Sequence, residues 1–277
     1  YYFRRSKRKI RFIGIGKMNI LEKIIDSKLL EVAEKSKIIP IERLQDSQRL
    51  YAIRDFKNSL QSNYIDIIAE IKRKSPSMGD ILPNSSPKEI AKQYMKNGAS
   101  AISVLTDEPF FGGKLDYISE VKAVVDIPIL RKDFIITEYQ VWESYHAGAD
   151  AILLIADALA QDQMKTLYEL AHELGLHVLV ETHDLDLIPI IVSLNPEIVG
   201  INCRNLKNME TDIQWFSQAI ELLPPNSIKV AESGIFENTH LEFIEILGFD
   251  AALVGTSLMK TGEPGCALAH LLQRSNV

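Results

Sequence analysis

The stretch I-D-I-I-A-E-I-K-R-K-S-P-S-M-G, residues 65–79, changes character halfway along its length. Its first half is apolar and rich in β-branched side chains, which indicates a buried strand. The second half brings Glu70 and three basic residues together, followed by a Ser-Pro-Ser and glycine turn signal. A buried strand that ends in charges delivers them to its carboxyl end, where parallel α/β folds place ligand-binding and catalytic groups. Taken alone, the stretch is better explained as a solvated charge run at a strand-to-loop junction.

The same arrangement recurs along the chain, and this recurrence changes the interpretation. Short apolar runs alternate with longer stretches of helical periodicity, about eight times in all. Strands that are apolar on both faces, separated by amphipathic helices, are typical of a parallel sheet. The predicted strands are residues 65–71, 101–105, 127–130, 151–155, 177–180, 198–201, 228–231 and 251–254, and the predicted helices are 87–97, 115–125, 138–147, 161–174, 185–194, 212–222, 237–247 and 264–273.

Three segments share one plan: N-G-A-S-A-I-S-V-L-T at 97–106, A-G-A-D-A-I-L-L-I-A at 147–156 and L-G-F-D-A-A-L-V-G-T at 247–256. In each, a glycine closes a helix and a buried strand follows. The glycines are spaced by multiples of 50 residues, which two βα units of about 25 residues each would produce. Eight such units close into an α/β fold of the (β/α)8 TIM barrel type. An open doubly wound sheet is the alternative, although no G-x-G-x-x-G motif follows a strand.

The chain before the first strand is predicted to be helical. We predict that residues 18–277 form a single barrel domain, which includes this extra N-terminal helical segment at 18–60. Residues 41–60 are predicted as a second helix on a weaker pattern. Without a strand of its own, this segment should pack across the barrel as a lid or plug. The first helix carries its predicted apolar positions at Ile20, Leu21, Ile24, Ile25, Leu29, Leu30 and Ala33.

Residues 1–17 carry basic side chains and no acidic one, which is typical of a nucleic-acid arm, a membrane arm or a signal-peptide n-region. The apolar run at 12–15 is too short for a signal peptide. Met18 begins a sequence that resembles a natural start. We therefore expect residues 1–17 to be a disordered extension that takes no part in the chemistry.

The composition restricts the class of partner. A net charge of −6 disfavours general nucleic-acid binding, so an anionic ligand must be held by a local basic cluster. No apolar run approaches the ~20 residues of a membrane span. Cys203 and Cys266 form neither a disulfide framework nor a metal-type spacing. We expect a cytoplasmic protein with a small-molecule ligand, no nucleic-acid partner and no membrane contact.

Polar residues follow most of the predicted strands, and in a barrel all of them converge on one mouth. A single such residue would be satisfied by solvent, but the whole set at equivalent positions predicts a site. The residues are Glu70 and Lys72 on the first strand, Arg131, Lys132, Asp133 and Phe134 after the third, Glu181 after the fifth, Asn202 and Arg204 after the sixth, Glu232, Ser233 and Gly234 after the seventh, and Gly255, Thr256 and Ser257 after the eighth.

Two kinds of chemistry are indicated. Ser233-Gly234 and Gly255-Thr256 lie at the ends of neighbouring strands, where barrels commonly bind phosphate through backbone N–H groups. Lys132 and Glu181 are the candidate acid and base. A lysine among glutamates keeps its proton and can donate it to a carbonyl oxygen. A carboxylate that faces another carboxylate has a raised pKa, which we expect for Glu181.

Six blocks carry a resemblance to a known family: A-E-I-K-R-K-S-P-S-M-G-D-I, I-P-I-L-R-K-D-F-I, L-V-E-T-H, G-I-N-C-R-N-L, A-E-S-G-I and V-G-T-S-L-M. In this order on successive strands they resemble the indole-3-glycerol-phosphate synthases of tryptophan biosynthesis, from about residue 20 to the C-terminus. The resemblance implies a (β/α)8 barrel and a carboxy-lyase that converts 1-(2-carboxyphenylamino)-1-deoxyribulose 5-phosphate to indole-3-glycerol phosphate, CO2 and water. It also implies no metal, no organic cofactor and, since the family is often monomeric, a monomer.

The resemblance assigns roles to individual residues. Lys132 would be the general acid that protonates the substrate ketone, and Glu181 would serve the later proton transfers that expel water. Glu70 and Lys72 would flank the same centre, with Lys72 paired to the carboxylate that leaves. Remaining assignments are Asn202 and Glu232 to the substrate hydroxyls and ring nitrogen, Arg204 and Phe134 to the anthranilate group, and Ser75, Ser233, Gly234, Gly255 and Thr256 to the phosphate. Apart from the resemblance, Phe110 and Phe111 just before Gly112-Gly113 are expected either to form an apolar wall over the substrate ring or to anchor a mobile loop.

Two alternatives stay open. One is another phosphate-binding barrel enzyme, either a Schiff-base aldolase that uses Lys132 or a sugar-phosphate isomerase that uses Glu181. The other is a non-catalytic phosphosugar-binding or scaffold protein. The combined presence of two lysines and two glutamates at the strand ends argues against the non-catalytic alternative.

Overall fold

The structure, a computed structural model, describes residues 19–205 and 208–273. Eight parallel strands form a closed barrel in sequence order, with the last strand paired to the first. This confirms the predicted (β/α)8 fold. The strands are β1 (Asp66–Ile71), β2 (Ala101–Leu105), β3 (Ile129–Lys132), β4 (Ala151–Ile155), β5 (His177–Thr182), β6 (Ile198–Asn202), β7 (Ile228–Glu232) and β8 (Ala251–Val254).

Helices surround the barrel and extend it at the N-terminus. They are α1 (Ile20–Ile38), α2 (Ile41–Gln45), α3 (Pro87–Lys96), α4 (Glu108–Phe111), α5 (Asp116–Lys122), α6 (Glu138–Ala147), α7 (Gln161–Glu173), α8 (Ile188–Leu194), α9 (Trp215–Ala219), α10 (Asn238–Leu247), α11 (Thr256–Met259) and α12 (Pro264–Leu271). Short 3-10 helices lie at Asn58–Leu60, Ala156–Ala158, Leu185–Leu187 and Ile220–Leu222, and a hairpin joins Lys74–Ser75 to Gly79–Asp80. The sequence pattern did not predict this hairpin, α4 or α11, because each is too short to show a period.

The third strand was predicted two residues too early. Pro128 has no N–H for a ladder bond, and the amide of Ile129 donates to the Asp150 carboxylate at 2.8 Å. The strand therefore begins at Ile129. It ends at Lys132 and contains both basic residues, Arg131 and Lys132. Since neighbouring strand residues point to opposite faces, Lys132 faces the barrel interior and Arg131 faces outward.

Arg131 consequently does not reach the mouth, and that expectation was wrong. Its side chain is buried between β3 and α6, where it donates to the Ser144 hydroxyl and to the carboxylates of Asp133 and Glu143, each at 3.0 Å. A guanidinium can be buried between the strand and the helix because its N–H groups have hydrogen-bond acceptors around them.

Helix α1 is confirmed, but its buried face is not the predicted one. Asn19 and Glu22 form a capping box at its start. The residues that face the barrel are Leu21, Ile24, Lys28 and Val32, while Leu29 and Leu30 are 50% and 70% exposed. Lys28 was missed because a lysine does not contribute to an apolar pattern.

Lys28 also fixes where α1 lies. Its ammonium is 3.1 Å from Asp107 and 3.0 Å from Asp133, two carboxylates that follow β2 and β3. Both partners are buried. The N-terminal helix is therefore tied to the carboxyl-end mouth of the barrel.

The predicted helix at 41–60 was wrong, since only Ile41–Gln45 and a 3-10 turn at its end are helical. Arg49 donates to the carbonyls of Tyr145 and Ala149, and the amide of Arg54 donates to Asp150 at 2.7 Å. These tertiary hydrogen bonds hold the segment in an irregular conformation that is incompatible with a continuous helix. Phe56 and Leu60 are fully buried and pack into the interior core of the barrel.

The basic extension expected at residues 1–17 lies outside the described residues. Within residues 19–205 and 208–273, no helix combines the length and the apolar character that crossing a membrane requires.

Candidate active site

A cavity of about 870 Å3, counting the solvent space at its entrance, opens at the carboxyl ends of the strands. The sequence analysis assigns a catalytic or binding role to fourteen residues. Twelve of them line this cavity, whereas Ser75 and Phe110 do not. The lining members are Glu70, Lys72, Lys132, Phe134, Glu181, Asn202, Arg204, Glu232, Ser233, Gly234, Gly255 and Thr256.

Lys132 lies between two buried carboxylates. Its ammonium donates to Glu181 Oε2 at 2.8 Å and also to Glu232 Oε2. Burial alone would lower the pKa of Lys132, but Glu181, Glu232 and Glu70 outweigh it and raise the pKa above the usual lysine range. The group therefore carries a proton at every physiological pH.

The two glutamates differ in their proton affinity. Burial would raise the pKa of Glu181, yet Lys132 and a 2.8 Å hydrogen bond from Asn202 Nδ2 bring it below the ordinary value. Burial and the facing Glu181 raise the pKa of Glu232 to about 8. The expectation that Glu181 would have the raised pKa was wrong, because Lys132 and Asn202 together favour its ionised form. The site thus presents one ionised and one neutral carboxyl near pH 7.

Glu70 and Lys72 form a second pair at the carboxyl end of β1. Lys72 Nζ is 2.6 Å from Glu70 Oε1. Glu70 is buried, whereas the Lys72 side chain retains 13% exposure and borders the cavity. An ammonium in this position can meet an anionic group of a ligand.

Asn202 links the carboxylates to the following loop. Its Oδ1 accepts from the backbone amide of Arg204 at 3.0 Å, while its Nδ2 is committed to Glu181. His183 Nδ1 lies 2.8 Å from the Asn202 carbonyl, and its ring stacks on Trp215 at 5.0 Å. The stacked His183 ring therefore fixes the position of the Asn202 backbone.

Aromatic rings form one wall of the cavity. Phe111 and Phe134 have ring centroids 6.0 Å apart, and both line it. Phe110 and Phe111 are adjacent in the short helix α4, and of the two only Phe111 lines this cavity. Phe111 therefore takes the place of Phe110 as the lining residue.

The opposite wall contains an unusual backbone segment. Ser233 and Gly234 have consecutive left-handed φ angles of 70° and 71°, and Gly255 and Thr256 border the same part of the cavity. Turns of this kind form concave anion-binding surfaces. Ser75 lies elsewhere: its hydroxyl accepts from the Met78 amide at 3.2 Å within the hairpin, so its contact with a phosphate stays a prediction.

Comparison with known proteins identifies relatives of this chain. The sequence profile of the family described as Indole-3-glycerol phosphate synthase matches residues 21–271. The indole-3-glycerol phosphate synthase of Bacteroides thetaiotaomicron is 44% identical over 256 residues, which is 92% of this chain and 98% of that protein. The one from Burkholderia ambifaria is 40% identical over 257 residues, 91% of this chain and 98% of that protein.

Solved structures support the fold alone. N-acetylmannosamine-6-phosphate 2-epimerase from Clostridium perfringens superposes with a TM-score of 0.58 at 15% identity, over 78% of this chain and 96% of that one. The 3-hexulose-6-phosphate synthase from Salmonella typhimurium gives 0.58 at 12% identity, over 75% and 98%.

Proposed function

Because the chain belongs to the indole-3-glycerol phosphate synthase family, we propose that Lys132, Glu181 and Glu232 perform the proton transfers of its reaction. The enzyme is a carboxy-lyase that acts on a phosphosugar-anthranilate substrate. It closes the indole ring of 1-(2-carboxyphenylamino)-1-deoxyribulose 5-phosphate, with loss of CO2 and water. The observation that supports the proposal is the lysine ammonium held between two buried carboxylates.

Ring closure requires a proton at the ketone oxygen. The ring carbon that bears the carboxylate attacks the ketone carbon, so a carbon–carbon bond forms and the oxygen gains electron density. Lys132 donates its proton to that oxygen, which becomes a hydroxyl. The carboxylate then leaves as CO2, and its bonding electrons restore the aromatic ring. A lysine that always carries its proton meets this need.

Dehydration follows in the same place. Glu232, which holds a proton up to a pKa of about 8, donates to the departing hydroxyl, and the ionised Glu181 accepts the proton released as the double bond forms. Lys132 contacts one neutral and one ionised carboxyl group. Glu232 can therefore act as the acid and Glu181 as the base of the dehydration.

The remaining lining residues hold the substrate. Lys72 pairs with the carboxylate that leaves, and Phe111 and Phe134 flank the anthranilate ring. Arg204 contributes a second cation beside that ring. The anion-binding turn at Ser233 and Gly234, with Gly255 and Thr256, receives the phosphate.

Turnover by the purified chain tests this assignment. We expect the carboxyphenylamino sugar phosphate to give the ultraviolet absorption of an indole, and borohydride to trap no covalent adduct with substrate. A trapped imine at Lys132 with no indole would support the aldolase alternative, and binding without turnover would support the non-catalytic one. The expected monomer, the cytoplasmic location and the absence of a metal or cofactor stay predictions.

A further inference from the structure

Gly200 lies in the middle of a buried strand whose backbone does not require a glycine. Its φ is outside the left-handed range that favours glycine, and it pairs in register with Glu181 and Val230. A glycine weakens a strand interior because it loses more entropy and packs no side chain. The reason for a glycine here must therefore be space.

The space is occupied by a carboxylate. A Cβ atom on Gly200 would lie 2.3 Å from Glu232 Oε1 and 3.3 Å from its Cδ. That Oε1 is buried and has no hydrogen-bond partner among the described residues. The other oxygen of Glu232 accepts from Lys132. The carboxylate thus lies directly against the Gly200 backbone when it contacts the lysine.

Gly255 shows the same relationship with a different glutamate. A Cβ atom there would lie 2.3 Å from Glu70 Oε1 and 3.0 Å from both its Cβ and Cδ. Its φ of −130° lies outside the left-handed range that favours glycine. Glu70 is the partner of Lys72. Gly200 within β6 and Gly255 directly after β8 therefore each make room for one buried carboxylate.

We propose that Gly200 is a positioning residue that seats the Glu232 carboxylate against Lys132, and that Gly255 does the same for Glu70 beside Lys72. This inference rests on the proposed roles of the charged residues. A side chain at either position would push its carboxylate toward the cavity and separate it from its lysine.

Gly200→Ala is the direct test. We expect kcat to fall by roughly 10²-fold, the loss typical of a displacement of about 1 Å, while KM changes less. The pH dependence of kcat/KM should also move, because the charged groups that face Glu232 are Lys132 and Glu181, with Glu70 beyond them, and their distances would change. A defect of folding alone would not move the pH profile.

Rescue separates positioning from general damage. Glu232→Asp shortens the side chain by one methylene, so the double variant Gly200→Ala/Glu232→Asp has room for the added methyl group. We expect its kcat to exceed the value that the two single losses predict when multiplied. The matched control is Gly265→Ala in α12, where a Cβ would lie 2.8 Å from Gln93 Cβ, away from the cavity. It should lower stability without changing kcat or the pH profile.

Several outcomes would overturn the inference. A folded Gly200→Ala enzyme with unchanged kcat and pH profile contradicts it, as does a loss that Glu232→Asp does not relieve. If Gly200→Ala fails to fold, the double variant decides: an active double variant supports the inference, and an unfolded one contradicts it. Glu232→Ala tests the proposed function separately, because normal turnover there would remove the role of Glu232 whatever Gly200 does.

Discussion

Lys132 and Glu181 meet inside the barrel with 2.8 Å between Nζ and Oε2, although 49 residues separate them in the chain. Lys132 ends β3 and Glu181 lies near the end of β5, with β4 between them. Their contact depends on a closed sheet whose inward-facing residues converge at one end. The proposed acid–base chemistry depends on this contact, because each partner stabilises the charge of the other.

Glu181→Gln should lower kcat by about 10²-fold, since an amide cannot accept the proton released in dehydration. The amide keeps the size of the side chain, so KM should change little. Steady-state kinetics on the carboxyphenylamino sugar phosphate measure both values. Equal kcat in the variant and the parent would remove Glu181 from the mechanism.

Glu232 should give the activity an alkaline limb. Its pKa is raised to about 8 in the folded protein, so the carboxyl is neutral below that pH and gains charge above it. We expect kcat/KM to fall as pH rises through about 8, because the acid for dehydration is then lost.

The variant Glu232→Gln tests whether Glu232 is the group whose titration causes the alkaline limb. Glu232→Gln stays neutral at all pH values and should flatten this limb, and it should retain more activity than Glu232→Ala. The free energy of unfolding should change with pH in the same direction as the activity. The raised pKa of Glu232 favours the folded state at low pH, and this contribution is lost as pH rises through about 8. An unchanged limb in Glu232→Gln would assign the titration to another group.

Lys28→Met should destabilise the fold by about 3–5 kcal/mol, because it leaves the buried Asp107 carboxylate without its ammonium and removes one of the two cations that contact Asp133. Denaturant unfolding measures the change. The matched control is Lys37→Met on the same helix, whose partner Glu34 is exposed, and there the loss should be about 0–1 kcal/mol. Equal losses would mean that Lys28 does not anchor α1.

Gly234→Ala should raise KM more than it lowers kcat. Its φ is +71°, and a Cβ would lie 2.8 Å from Cys203 Sγ, so the turn must shift. Inorganic phosphate should then inhibit more weakly. Gly248→Ala imposes similar backbone strain at φ +93°, with no atom within 4 Å of the new Cβ. The control should lose stability and keep KM; a KM that rises equally in both would separate Gly234 from phosphate binding.

Much of this architecture could be predicted because a barrel repeats one pattern. Apolar runs, closing glycines and polar strand ends each recur, and a closed sheet then brings the polar ends together without further information. The predicted set from Glu70 to Thr256 depends only on strand order, which is why its lining members could be identified.

Other features depend on tertiary contacts that no local pattern contains. Lys28 sits at a position of α1 where an apolar residue is expected, and only Asp107 and Asp133, distant in sequence, explain it. The lowered pKa of Glu181 depends on Lys132 and Asn202, which lie on other strands of the barrel. The irregular path after α2 depends on what Arg49 and Arg54 contact.

The activity of Lys132→Ala tests the central claim most directly. If the ammonium between Glu181 and Glu232 supplies the proton for ring closure, kcat should fall by at least ~10²-fold, while circular dichroism shows that the barrel persists. Indole formation from the carboxyphenylamino sugar phosphate, followed by ultraviolet absorption, gives the rate. Turnover near that of the unchanged protein would contradict the account.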